Sequence, residues 1–167
     1  MKKIFFITML GLFSISCQNN VTSVVEKTSA QVGIIEENDA KSLAINAFND
    51  AYLANDMSDQ VGIFTEDAIA NVNSQEMTAK DMIAAFMEGK KYYDNITNSE
   101  RTTLTLILDN ESVYTNTWFA WTGTSKSTGV TLSNEVHAYF KWKGDKITSV
   151  GYIFDSAEYV ANMGSTE

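Results

Sequence analysis

The hydrophobic positions of this chain change period along its length. Residues 4–13 (IFFITMLGLF) form an almost unbroken apolar run behind Lys2 and Lys3. A basic start followed by such a run is the order of a secretory leader, and the run is shorter than the roughly twenty apolar residues a membrane-spanning helix needs. Residues 18–38 are rich in Ser, Thr, Asn, Gln and Glu without a helical period. They read as a flexible tether, with residues 32–35 as a stretch that can instead dock as a short strand. Residues 39–55 place Ala40, Leu43, Ala44, Ala47, Phe48 and Ala51 three and four apart. That spacing predicts a helix with one apolar stripe, opened by Asn38 or Asp39.

Residues 58–64 read as a helical turn and 67–72 as a short strand. Thr78 with Asp81 three residues on is a capping-box pattern, and it opens a helix to about residue 93 with Met82, Ile83, Phe86 and Met87 on its buried side. From residue 101 the period becomes two. Residues 101–108, 112–124, 131–143 and 146–155 are rich in Thr, Val, Ile and aromatics. Turn chemistry separates them at Asp109-Asn110, residues 125–129 and Gly144-Asp145. Residues 156–163 read as a short terminal helix. Helices first and strands after is α+β, with about four main strands plus a short one forming a curved antiparallel sheet around the helices. The concave face is then shared between core and pocket.

Composition narrows the chemistry. Among 167 residues, 12 Lys and Arg face 21 Asp and Glu, a formal net charge of −9. Such a balance is a poor match for nucleic acid or an anionic lipid surface. A single Cys precludes an intrachain disulfide, and one His with one Cys precludes the usual zinc clusters. The sequence has no phosphate-cradling glycine loop, nucleophile elbow or dinucleotide fingerprint, so no metal or cofactor is expected. The acidic run Glu36-Glu37-Asn38-Asp39 is a solvated helix start. Without Pro, turns must come from Gly, Asn, Asp and Ser.

The lone Cys17 follows Ser14-Ile15-Ser16 directly behind the apolar run. This resembles a bacterial lipoprotein signal, with the small Ser16 before the Cys and Ser14 standing where Leu is usual. The resemblance implies removal of residues 1–16, lipidation of Cys17, and an extracytoplasmic domain anchored in the cell envelope. Residues 17–38 then form the tether, 39–163 the domain and 164–167 a tail.

Three strings in the domain carry a second resemblance. Phe64-Thr65-Glu66-Asp67-Ala68, Trp121-Thr122-Gly123, and Gly144-Asp145-Lys146-Ile147 leading to Phe154-Asp155 occur in this order. Together they resemble the nuclear transport factor 2-like superfamily, in its SnoaL-like branch, over residues 38–163. The resemblance implies a cone-shaped fold with a pocket at one end, and common homodimers. It implies no single activity. Asp155 is similar to the acid/base aspartate of SnoaL-type cyclases, while read on its own residues it caps the following helix. Those cyclases also use a His. Here strand alternation sets Val136, Ala138, Phe140 and Trp142 on one face and Glu135, His137, Tyr139 and Lys141 on the other, so His137 belongs to the outer face. The steroid-isomerase base falls at Val72, where no carboxylate stands. Tyr52, Trp121 and Asn134 are the candidate pocket residues. The reading is a membrane-tethered module that binds a small, mostly apolar ligand. The alternatives are a cofactor-independent enzyme using Asp155, and a dimerising envelope interaction module.

Overall fold

A computed structural model describes residues 33–164. The leader, Cys17, most of the tether and the last three residues lie outside the described residues. Seven strands make one mixed sheet: β1 (Gly33–Glu36), β2 (Phe64–Val72), β3 (Gln75–Thr78), β4 (Tyr93–Leu108), β5 (Val113–Ser125), β6 (Thr131–Lys143) and β7 (Lys146–Ile153). Their order across the sheet is β1-β4-β5-β6-β7-β2-β3. Helix α1 (Ala40–Leu53) and helix α2 (Ala79–Gly89) cover the inner face, and a short α3 (Ala157–Ala161) follows β7. Three-residue-per-turn segments at Gln60–Ile63 and Lys90–Tyr92 link α1 to β2 and α2 to β4.

The four long strands form the antiparallel meander that the short links predict. Gly144 takes the positive φ (60°) that the two-residue β6–β7 turn needs at its first position. The sheet is not wholly antiparallel, as expected, but mixed: β2 runs parallel to β7, pairing Ala70 with Val150 and Val72 with Tyr152. That pairing needs a long crossover, which α2 and the meander supply, so no local turn signal announces it. Two further strands complete the sheet. The stretch offered as either tether or docked strand is β1, which pairs with β4 from Gly33↔Leu108 to Glu36↔Thr105. The strand β3 hairpins onto β2 through Asn73 and Ser74, both at positive φ.

Helix α1 begins at Asp39, whose carboxylate accepts the Ser42 N–H at 2.6 Å. Its buried side is only partly the predicted stripe, with Phe48 buried and Ala44 and Ala51 packed on the core. Ser42, Ile45, Phe48 and Asn49 point inward, whereas Leu43 is 52% exposed and Ala40 and Ala47 face solvent. The cause is polar. Thr105 donates to the Asp39 carboxylate at 3.0 Å and Thr103 donates to Asn46 at 2.8 Å. A row of inward threonines thus turns the polar side of α1 toward the sheet, where each group finds a partner. Helix α2 keeps its predicted stripe, with Met82 and Ile83 buried and Phe86 and Met87 packed on the core. The core centres on Phe48, edge-on to Phe64 (5.9 Å) and Phe140 (6.0 Å).

Strand β4 is longer than the sequence suggests and is bent by two bulges. Between Asp94↔Thr124 and Thr97↔Thr122 it spends three residues against two, and again between Ser99↔Ala120 and Thr102↔Trp118. Asn95 (φ 53°) and Glu100 (φ 54°) take left-handed conformations there. Each extra residue reverses the facing of all that follows. Thr103 and Thr105 point inward, so an unbulged strand would send Asn98 outward. The bulge at Glu100 turns Asn98 in, and the bulge at Asn95 restores the inward facing of buried Tyr93.

Candidate functional site

At the open end of the sheet the inner face is not filled. A cavity of about 220 Å³ lies between α1, α2, the strands β4–β7 and the chain after β7. Ligand sites commonly run from about 300 to 1,000 Å³, so this one suits a small molecule. Its walls carry Tyr52 from α1, Phe86 from α2, Trp121 from β5, Tyr152 from β7 and Tyr159 from α3. The rings interlock edge to face: Tyr52 on Phe86 (6.5 Å), Phe86 on Tyr152 (4.9 Å), and Trp121 on Tyr93 (5.4 Å) and Tyr159 (5.5 Å).

Trp121 is held by its surroundings. Its Nε1–H donates to the Tyr52 hydroxyl at 3.2 Å. Its six-membered ring lies over Gly123, where a Cβ would stand 2.6 Å from the indole edge. With its oxygen accepting from Trp121, the Tyr52 hydroxyl keeps its own proton to donate. Lys90 fixes Tyr52 from the other side. Its ammonium donates to the Tyr52 and Leu53 carbonyls at the end of α1 and stands 4.6 Å above the Tyr52 ring.

The segment after β7 forms the remaining wall. Tyr159 stacks on Tyr93 at 4.8 Å, and the Tyr93 hydroxyl donates to the Tyr159 carbonyl. The Tyr159 hydroxyl rests on Gly89, where a Cβ would collide with it. Gly89 therefore serves close approach of the Tyr159 ring to the end of α2. Ser125 and Ser127 both donate to the Asn162 carbonyl, at 2.7 and 3.0 Å.

No charged side chain lines this cavity among the described residues. Its titratable groups are phenols, and burial pushes Tyr52, Tyr152 and Tyr159 above the usual tyrosine value. All three stay neutral donors at physiological pH. The other polar groups are amides. Asn98, Trp121 and Asn134 are consecutive partners across β4, β5 and β6, so an indole is flanked by an amide on each side. Asn134 Nδ2 and Oδ1 form none of the described protein hydrogen bonds, and Asn98 Oδ1 is buried without a partner.

Tyr52, Trp121 and Asn134, separated in sequence, thus come together at the cavity. Asp155 does not. It is exposed, outside the cavity lining, and its carboxylate accepts the Ala157 N–H at 2.9 Å, the turn-capping arrangement. His137 lies on the outer face, stacked on Trp118 (4.8 Å, 4°), with Nε2 3.0 Å from Asn116 Oδ1. Burial lowers its pKa. The residues that sequence reasoning passed over are Asn49, Asn98, Tyr152 and Tyr159. Asn98 lies in a polar stretch, and only the strand's bulges reveal its direction.

No family model matches the sequence, and no curated protein matches it either. The likeness is one of fold. A protein provisionally described as a polyketide cyclase, from Xanthomonas campestris, superposes with a TM-score of 0.59 at 15% identity, over 74% of this chain and 96% of its own. A protein provisionally described as a hydroxylase, from Streptomyces galilaeus, gives 0.58 at 13%, over 74% and 80%. A nuclear transport factor 2-like protein from Burkholderia xenovorans gives 0.56 at 15%, over 73% and 94%. The domain has the nuclear transport factor 2-like cone fold, the one its motifs resemble.

Proposed function

We propose that the domain binds a small, uncharged, mostly apolar molecule in the cavity at the open end of the cone. One observation carries this reading: an aromatic-walled cavity of about 220 Å³ whose polar side-chain groups, among the described residues, are all neutral: phenols, amides and the Trp121 indole N–H. A charged ligand would lose its hydration there and meet no counter-charge. Proton transfer at neutral pH wants a group that titrates near the working pH, and the lining phenols stay protonated. The carboxylate of Asp155 faces its own turn. These points favour binding over the isomerase or cyclase reading. Native mass spectrometry of the full chain, with thermal melts in naphthalene, is the test. An extra mass released on denaturation, or a raised melting temperature, is expected. A clean apo mass together with an unmoved melt overturns the proposal.

The same proposal places the domain outside the cytoplasm, lipidated at Cys17. Its support is the order Lys2-Lys3, apolar residues 4–13, Ser16 and Cys17. The outer sheet face favours a homodimer as well. Trp118 is 40% and Ile153 58% exposed there, beside the His137 ring. Glu135 and Lys141 flank that strip on the same face of β6, so a two-fold pairing has charges of both signs at its rim. Sedimentation at rising concentration is the check, with Trp118→Glu expected to leave only monomer.

A further inference from the structure

Two residues of the cavity wall are deeply buried and still carry a polar atom without a partner among the described hydrogen bonds. They are Asn49, 3% exposed, and Tyr152, 5% exposed. Neither atom is sealed: the closed, unpartnered side-chain atoms of the described residues belong to Thr65, Asn98 and Arg101. Both therefore open into the cavity that they line. Asn49 Nδ2 donates to the Ile45 carbonyl at 3.0 Å, which leaves Oδ1, an atom that can only accept. Of the two, Tyr152 alone has a free proton to give, and no acceptor of the wall takes it.

The fold fixes where that proton is offered. Tyr152 pairs with Ala138 on β6 and with Val72 on β2, and Ala138 belongs to the buried row of β6, so the phenol points inward. Its ring stands edge-on to Phe86 at 4.9 Å and to Phe140 at 6.0 Å. Two packed rings hold the C–O bond in place, so the oxygen cannot swing away to another partner. Burial, with the Tyr52 phenol close by, keeps the proton on that oxygen. An apolar ligand that fills the cavity excludes water from this hydroxyl and offers nothing in return. A buried donor left unmade is costly, and an acceptor on the ligand recovers the bond. The cavity volume limits the ligand to about one or two fused rings.

We infer that the ligand is an uncharged molecule of one or two rings that carries a carbonyl oxygen, and that the Tyr152 hydroxyl donates to it. The inference rests on the binding reading above and adds to it the polar group of the ligand and the residue that reads it. Tyr152 is then a specificity-determining residue: a hydrocarbon fills the cavity but leaves the hydroxyl unpaired.

Indane and 1-indanone, alike in shape and both without a donor, test this by calorimetry on the full chain. Asn49 Oδ1 gains a bond from neither, so the pair isolates the acceptor. The ratio of indanone to indane affinity is expected to fall about tenfold in Tyr152→Phe, which removes one oxygen and keeps the ring. In Asn134→Leu and in Tyr159→Phe, whatever happens to either affinity alone, the ratio should hold. An unchanged ratio in Tyr152→Phe, with indane still bound, overturns the inference and leaves the binding reading standing. A fall in either other variant as large as that in Tyr152→Phe overturns the assignment to Tyr152. Failure of both probes to bind the natural chain overturns the binding reading and the inference with it. The infrared carbonyl band of bound 1-indanone needs no variant. A band lowered from its position in hexane is expected, and an unlowered band overturns the inference even where Tyr152→Phe does not fold.

Discussion

Trp121 shows how single residues set the geometry of the site. Its nitrogen is tied to Tyr52 and its ring lies over Gly123, so neither the donor nor the ring plane is free. Gly123→Ala places a methyl group 2.6 Å from the indole edge, and the neighbouring backbone is strand, which yields little. A loss of about 1–3 kcal/mol is expected, as for other overpacked sites. Weaker naphthalene binding should accompany it, since the ring must leave its place. Denaturant melts with calorimetry check both. His137 makes a second residue-scale prediction. Burial holds its pKa below 6.5, so the unfolded chain takes up its proton more readily than the folded one. The stability tied to neutral His137 is therefore present above pH 6.5 and is lost as pH falls through the folded value. Melts at pH 8 and pH 5 should show a larger drop for the natural chain than for His137→Gln.

Among the elements, α1 and β4 decide what the cavity wall is made of. Helix α1 has the ends its sequence suggests, but it is rotated about its axis from the alanine stripe. Hydrophobic spacing ranks faces by apolar content, and here the competing face carries Ser42, Asn46 and Asn49, which bond to partners on or beneath the helix. That rotation is what brings Tyr52 to the cavity. Asp39 holds the start of α1. Burial would raise its pKa, but hydrogen bonds from Ser42, Thr105 and the Lys41 backbone together hold it below the usual aspartate value. Asp39→Ala should cost about 1 kcal/mol, the ordinary worth of a helix N-cap. The contribution of Asp39 is present above pH 3.8 and disappears as the medium is acidified through its folded pKa. An acid titration of stability in both chains measures it. Strand β4 teaches the converse lesson. Its polar middle, residues 94–100, has no apolar alternation, yet the strand continues through it because β5 supplies partners along its length.

At the scale of the molecule, the cone puts a neutral cavity at one end and leaves an aromatic strip, flanked by Glu135 and Lys141, on the outside of the sheet. The charges lie outside the cavity, so the formal −9 of the chain bears on solubility rather than on the cavity. The proposed anchor acts at this scale too. Cells expressing the chain should incorporate labelled palmitate into it, and Cys17→Ala should abolish the label and release the protein from the membrane fraction. An unlabelled, soluble natural chain would overturn the anchor.

The sequence by itself determined the helix-then-strand order, the four long strands and their turns, and the inward face of β6. These rest on local causes: the period of two, Gly144 at its turn, the Thr78 and Asp39 caps. It also pointed to Tyr52, Trp121 and Asn134. Only the tertiary structure decided the rest. The β2–β7 parallel pair joins segments far apart in the chain. The rotation of α1 depends on threonines sixty residues away. The inward turn of Asn98 depends on two bulges whose register is set by β5, and the distance of Asp155 from the cavity depends on how the last segment docks. In each case the partner is remote in sequence, and the free energy that settles the choice does not exist until the two surfaces meet.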